Sequence, residues 1–290
     1  QSDLATLNEN VIEVKISDED EDSEPTTRKE EITLLGKWLP TERSAMDKKY
    51  HIVSKICKKL KWERKTYRQN LSALRSRLHI VEKHMCVKNY DAINYSAVPS
   101  RCMHIHSRPK MAFPRNDEDR FNEYTDALKR NDPTVSLNVA QLYPHEIVKE
   151  YLQGYTIQNY NEMTEQKWAR YIDEKITSEM RESMASTMVV ADVSGSMMGG
   201  IKTRPIDVCI GLALMIAETL PGALHNHIMT FSDRPSFYEV IGTTLFDRVR
   251  SITKAPWGMS TNIEGTFQTL LDNCVRLNVP TEEMPKRIII

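Results

Sequence analysis

The sequence predicts an α plus α/β chain, with a helical region first and a doubly wound α/β region after it. Three observations predict this. Up to about residue 183, apolar residues recur at three- and four-residue spacing between polar and Pro-containing breaks. From residue 187 the pattern changes to continuous apolar runs of strand length alternating with helix-length segments. Hydrophobic residues make up 40% and charged residues 27% of 290 residues, which is enough for packed cores and excludes disorder throughout.

Residues 18–24 hold six acids interrupted only by Ser23, too self-repulsive and too poor in apolar groups to fold alone. Residues 1–45 are therefore expected to be an acidic linker and N-terminal arm. Residues 32–39 close at Pro40, and Thr41 to Ser44 supply capping groups for a helix. In it Tyr50, Val53, Ile56, Cys57 and Leu60 form one apolar stripe opposite lysines. A second helix carries Tyr67, Leu71, Leu74, Leu78, Val81 and Met85. Pro99, Pro109 and Pro114 exclude a long helix over residues 93–114 and predict a loop crossing the helical surface. Further helices fit residues 117–129, 144–152 and 163–184, so the helical region is placed at residues 46–183.

The α/β region is placed at residues 184–290. A strand at residues 187–191 ends at Asp192, followed by a turn rich in Gly and Ser and a helix opening near Pro205. Strands at residues 225–231 and 236–241 are joined so tightly that they must pair antiparallel. Helices fit residues 245–254 and 262–277, and residues 287–290 open another strand. In doubly wound sheets ligands sit beyond the carboxyl ends of the strands where the strand order reverses, and Asp192 is placed for that crevice.

Composition narrows the function classes. The longest apolar stretch, residues 208–217, is far short of a bilayer span, and no basic segment precedes an apolar one at the start. Neither a membrane partner nor secretion is expected. Five cysteines without a CxxC read as reduced thiols of an intracellular, cytoplasmic protein. The chain starts at Gln1 and stops in the apolar run 288–290, so both termini read as cut. Net charge is −1, yet residues 48–83 carry eight Lys and four Arg against Glu63 and Glu82. That basic surface, including Lys58, Lys59, Arg64 and Arg68, is either a solvated helix face or a phosphate-binding surface, with Tyr50, Trp62 and Tyr67 as stacking or core residues.

The string Val189-Val190-Ala191-Asp192-Val193-Ser194-Gly195-Ser196-Met197 carries the chemistry. Asp192, Ser194 and Ser196 offer one carboxylate and two hydroxyls, hard ligands suited to Mg²⁺ or Mn²⁺, from a turn that Gly195 allows to close. A second oxygen-rich loop, Trp257-Gly258-Met259-Ser260-Thr261-Asn262, also opens a helix. These residues resemble the von Willebrand factor A domain and its metal-ion-dependent adhesion site. The resemblance matches Asp192, Ser194 and Ser196 to the first element of that site and Thr261 to the second, and it covers roughly the first half of such a domain. It implies a third element, an Asp after the fourth strand, expected beyond Ile290, and a partner protein that offers a carboxylate to the ion.

The helical region has a resemblance of its own. Gly36-Lys-Trp-Leu-Pro40, the segment from Tyr67 to Arg75, Val98-Pro99-Ser100-Arg101 and Tyr143-Pro144-His145-Glu146-Ile147 look like an uncharacterised family of eukaryotic and large-DNA-virus proteins. In that family a helical-repeat-like region similar to the TROVE repeats of the Ro autoantigen precedes an A-type domain. The resemblance implies a ribonucleoprotein-like layout and tips the basic surface towards RNA.

Other signatures fail on the residues. In Gly195-Ser-Met-Met-Gly-Gly200-Ile-Lys202 the lysine does not follow the second Gly of a phosphate loop, because Ile201 intervenes. His225-Asn226-His227 lacks any supporting motif, His104 and His106 have no acidic or Cys neighbours in sequence, and no Gly-x-Ser-x-Gly occurs. The expectation is a non-enzyme. Its rivals are a structural assembly subunit that uses no metal, and a metal-dependent hydrolase, for which no general base is in view.

Overall fold

The computed structural model describes residues 35–290 apart from 79, 154–155, 193, 201–202 and 259–261. The chain is mixed α/β, mostly helical with small sheets. It divides into two compact units, Gln1–Asn89 and Tyr90–Ile290.

The first unit is helical in its described part: α1 Leu35–Trp38, α2 Ala45–Tyr50, α3 Ile52–Leu60, α4 Arg64–Arg77 and α5 Val81–Cys86. The single helix expected to carry Tyr50 to Leu60 is broken at His51, whose φ of 53° is left-handed. Asp47 explains the break. Its buried carboxylate accepts the Val53 N–H at 2.9 Å and the Arg43 N–H at 2.9 Å, so one side chain satisfies an opening donor of α3 while α2 ends. Tyr50 is thereby half exposed and leaves the expected stripe, whereas Val53, Cys57, Tyr67 and Leu71 form the core with Leu39, Ile56 and Trp62 packed against it. The Tyr67 hydroxyl donates to Pro40 O at 2.7 Å, so Tyr67 is a core residue and no stacking platform.

The second unit opens with single 3₁₀ turns at Tyr90–Ala92 and Tyr95–Ala97. Then come α6 Ser100–His106, α7 Ala112–Asn116, α8 Glu118–Lys129 and α9 Pro144–Val148. The expected loop over 93–114 is thus partly helical. Its prolines sit where no intrahelical N–H is needed: Pro99 at the N-cap of α6, Pro109 between helices, and Pro114 in the first turn of α7. Tyr95, Phe113, Phe121 and Tyr124 pack ring against ring beneath these helices, with Tyr95 5.2 Å from Phe113 and 5.3 Å from Phe121. A two-stranded antiparallel ribbon, β1 Leu152–Gln153 with β2 Thr156–Ile157, interrupts the region expected to be helical throughout. The expected 163–184 helix is two helices, α10 Glu162–Lys175 and α11 Ser178–Met184, because the Thr177 hydroxyl accepts the Met180 N–H and starts a new one.

The α/β part follows: β3 Thr187–Ala191, α12 Pro205–Thr219, β4 His227–Thr230, β5 Phe237–Glu239, α13 Leu245–Ile252, α14 Ile263–Arg276 and β6 Arg287–Ile289. The sheet order is β5-β4-β3-β6, with β3 parallel to β4 and β6, and β5 antiparallel to β4. All five residues of β3 are buried, as a strand covered on both faces must be. Helix α14 buries Thr266, Leu270 and Cys274 and leaves Phe267 and Leu271 half exposed.

Residue 184, where the α/β region was placed, lies inside the second unit, and side chains cross that position. Helix α9 lies against α12, and Gly211 permits the approach: a Cβ there would come within 2.6 Å of His145 N and 2.7 Å of its Cα. Glu165 of α10 accepts the N–H groups of Leu245 at 2.7 Å and Phe246 at 3.0 Å, capping α13 across 80 residues of sequence. Trp168 Nε1 donates to Glu218 of α12 at 2.8 Å.

Candidate functional site

The buried strand β3 delivers Asp192 to its carboxyl end. Phe231 N–H donates to Ala191 O at 2.9 Å, which sets the loop after β4 beside it. Asp192 Oδ1 accepts the Ser194 N–H at 2.8 Å, closing a short side-chain turn. Beyond it a 3₁₀ turn at Gly195–Met198 brings Ser196 round, and the Ser194 and Ser196 hydroxyl oxygens lie 2.9 Å apart. The structure therefore places the three residues read from the sequence, at alternate positions of one five-residue segment, in a single turn. Ser194 is buried, Ser196 is exposed and Asp192 is half-buried, so the group opens to solvent on one side.

Helix α12 supports this turn from behind. Burial pushes the Cys209 thiol up to about 11, against a hydrogen bond at the Asp192 backbone that works the other way. At the start of α12 the carboxylate of Asp207 is held below its usual range: burial alone would raise it, and Arg204 and Lys149 outweigh that. The Arg204 Nε–Asp207 Oδ2 distance is 3.1 Å and the Lys149 Nζ–Asp207 Oδ2 distance 3.4 Å. A third loop approaches from the α14 side. Asn262 N–H donates to Ser232 O at 3.2 Å, and a Cβ at Gly258 would meet Asp233 Oδ1 at 2.7 Å. Thr261, the fourth residue assigned to the site, lies outside the described residues, as does Val193.

Chemically, three hard oxygen donors stand at the end of the central strand, and β3 is flanked by β4 on one side and by the later β6 on the other. This is the position at which the strand order reverses. Among the described residues no three His, Cys, Asp or Glu side chains group as metal ligands.

The basic residues sort into two kinds. Arg64 Nη1 lies 2.9 Å and Arg68 Nη1 2.5 Å from the two oxygens of Glu42, whose carboxyl they hold below its usual range. Lys58 and Lys59 are exposed on α3, opposite Val53 and Cys57, and have no ion-pair partner among the described residues.

One buried constellation escaped the sequence. Glu150 accepts Lys167 Nζ at 2.8 Å and Thr164 Oγ1 at 2.7 Å, and His104 Nδ1 lies 2.8 Å from Glu150 Oε1. His104, expected to have no acidic neighbour, has one through the fold, on helix α6 and not in a loop. No local signal could have found it, because Glu150 is 46 positions away; the one hint was a lysine on the apolar side of α10, at Lys167.

The family model described as "Domain of unknown function (DUF2828)" matches residues 7–189, well over half of the chain. The chain belongs to the DUF2828 family. A second model, "Domain of unknown function (DUF7788)", matches residues 186–290, so the two overlap over residues 186–189, at the start of β3. The chain is similar to a protein of a large DNA virus: "Uncharacterized protein L728" of Acanthamoeba polyphaga mimivirus is 28% identical over 306 residues. That match takes in 100% of this chain and 48% of the viral protein, so the chain spans about half the length of that relative. No solved structure matches significantly. Within the described residues no helix is long and apolar enough to cross a membrane.

Proposed function

We propose that this DUF2828 chain is a non-enzymatic binding protein. In this reading residues 184–290 form a von Willebrand factor A-type module whose Mg²⁺ or Mn²⁺ receives a carboxylate from a partner protein. The observation that carries the reading is the convergence of Asp192, Ser194 and Ser196 at the end of the central parallel strand, where the order β5-β4-β3-β6 reverses. The donor set fits the ion: a carboxylate and two hydroxyls are hard ligands, and the neutral hydroxyls leave the charge of the cation largely uncancelled. Asp192, Ser194 and Ser196 would hold it, with Thr261 as the fourth residue that the resemblance implies. The bound ion supplies an electrophilic centre for an incoming carboxylate.

Pull-down of partners in magnesium against chelator, with thermal melts alongside, tests this. Asp192→Ala should abolish metal-dependent capture and leave the melt nearly unchanged, since it removes a loop carboxylate and no core volume. Ser194→Ala should weaken capture less, because water replaces one hydroxyl. Capture indifferent both to chelator and to Asp192→Ala overturns the reading and leaves an A-type fold used for packing in an assembly.

A second reading rests on Lys58 and Lys59, which have no carboxylate partner among the described residues. The helical region is TROVE-like, and these two lysines bind RNA phosphates. Binding should fall steeply with salt, and reversing Lys58 and Lys59 to Glu should flatten the slope by about 0.7 for each phosphate of a single strand that is no longer neutralised. Arg64 and Arg68 act through Glu42 as well, so their reversal should also lower stability. RNA binding with an unchanged salt slope after the lysine reversals removes this reading.

A further inference from the structure

Between the turn at residues 107–111, helices α7 and α8, and the start of α10 lies an open cleft of about 750 Å³. That is the size of a small-molecule site. Its two walls differ in chemistry. One comes from a single short stretch of chain carrying Ser107, Lys110 and Arg115. Ser107 is only 2% exposed, and its Oγ is buried with no hydrogen-bond partner. A buried hydroxyl left unsatisfied is costly and calls for a reason. Lys110 and Arg115 are exposed at the rim, and neither has an ion-pair partner among the described residues. Lys110 is also held at a φ of 67°, a conformation uncommon outside glycine.

The other wall carries Phe121, Asn122, Tyr160 and Met163. Phe121 and Met163 are buried beneath it, so its accessible surface is the Tyr160 ring, 47% exposed, beside the side-chain amides of Asn122 and Asn161. Of the two carboxylates on the rim, Glu162 is already taken by Lys129 at 2.8 Å, by Gln166 at 2.9 Å and by the Tyr160 hydroxyl at 2.8 Å. Glu118 is exposed and keeps a second anionic group out. The ligand therefore carries its negative charge at one end and a flat, partly polar body at the other.

We propose that this cleft binds a nucleoside monophosphate, with the phosphate on Ser107, Lys110 and Arg115 and the base against the ring of Tyr160. A terminal phosphate presents three acceptor oxygens, which match one hydroxyl donor and two cations. The Asn122 amide, with both donor and acceptor, reads the edge of the base. The same chemistry is offered by a free nucleotide and by the 5′-phosphorylated end of an RNA. The assignment rests on neither reading under the preceding heading, since none of its residues belongs to the Asp192 turn or to the basic helices.

Calorimetric titration of the full chain tests it, using AMP, adenosine, inorganic phosphate, and one short RNA with and without a 5′-phosphate. AMP should saturate a single site, and adenosine should bind at least tenfold more weakly. Ser107→Ala should weaken AMP about tenfold, as loss of one hydrogen bond to a charged group does. Lys110→Gln with Arg115→Gln should remove saturation. Without ligand, Ser107→Ala should melt no lower than the parent, because it takes an unsatisfied hydroxyl out of the interior. That combination, weaker binding without lost stability, separates a ligand-binding role from a structural one. A preference for the 5′-phosphorylated RNA assigns the RNA end, and a preference for AMP assigns the free nucleotide; each supports the site. No saturable binding of either, AMP affinity unchanged in both variants, or inorganic phosphate binding as tightly as AMP overturns the proposal.

Discussion

Glu150 and Lys167 show what one buried pair demands of its surroundings. Lys167 is 1% exposed, and burial pulls its ammonium down, while the carboxyl of Glu150 is held at about 2. Burial alone would raise that carboxyl; the charge of Lys167, the nearby His104 and the hydrogen bonds from Lys167 and Thr164 outweigh it. Glu150→Gln would strand the ammonium in the interior, so a loss of about 3–5 kcal/mol in urea unfolding is expected. The pH dependence follows in sign. The folded-state value lies below the ordinary 4.5, so the stabilisation is complete above about pH 4.5 and is lost as pH falls towards 2. The parent should lose stability over that window, and Glu150→Gln should lack this part of the acid limb; identical profiles would contradict it. Asp192, Ser194 and Ser196 could be read as a group because they fall at alternate positions within five residues, so their proximity in the turn follows from spacing alone. Glu150, Lys167 and His104 could not, because only tertiary packing brings them together.

At the scale of elements, the strand 187–191 was readable because both its faces are covered and every residue is apolar or small. The antiparallel β4–β5 pair followed from the shortness of its connection. The proline segment and the break at His51 were misread for one reason, which is that a local signal was judged without its neighbours. Pro99 and Pro114 open helices, and the break at His51 depends on a carboxylate, Asp47, that serves the next helix. Gly211 inverts the usual rule in the same way. Gly→Ala inside a helix ordinarily gains up to about 1 kcal/mol. Here the new methyl would press on the backbone of His145, at 2.6 Å from N and 2.7 Å from Cα, and backbone cannot swing aside. Overpacking of that kind costs about 1–3 kcal/mol, so Gly211→Ala should lower the melting temperature by roughly 2–12 °C. A melt raised by the substitution would show that α9 is not seated on α12.

At the scale of the molecule, a change in periodicity places a boundary at residue 184, and the two family models overlap over residues 186–189. Packing draws the boundary elsewhere, between Asn89 and Tyr90. Periodicity reports which kind of element a segment forms, and says nothing about which surfaces those elements bury together. The surfaces that cross residue 184 are specific. Helix α9 occupies the face of α12 that Gly211 keeps flat, Glu165 supplies the cap of α13, and Glu218 of α12 is held by Trp168 at 2.8 Å and Arg248 at 3.3 Å. Expressed alone, residues 184–290 would expose the α12 face, leave two opening N–H groups of α13 without their carboxylate, and take Trp168 away from Glu218. Each loss is a named cost, and together they approach the whole stability of an ordinary domain. Residues 90–290 should therefore unfold in one cooperative thermal transition, while residues 184–290 alone should show none and should bind a dye for exposed apolar surface. A sharp melt of 184–290 at the temperature of 90–290 would show that the seam between the family models is also a physical one, and that α9 and α10 merely lean on a module able to stand without them.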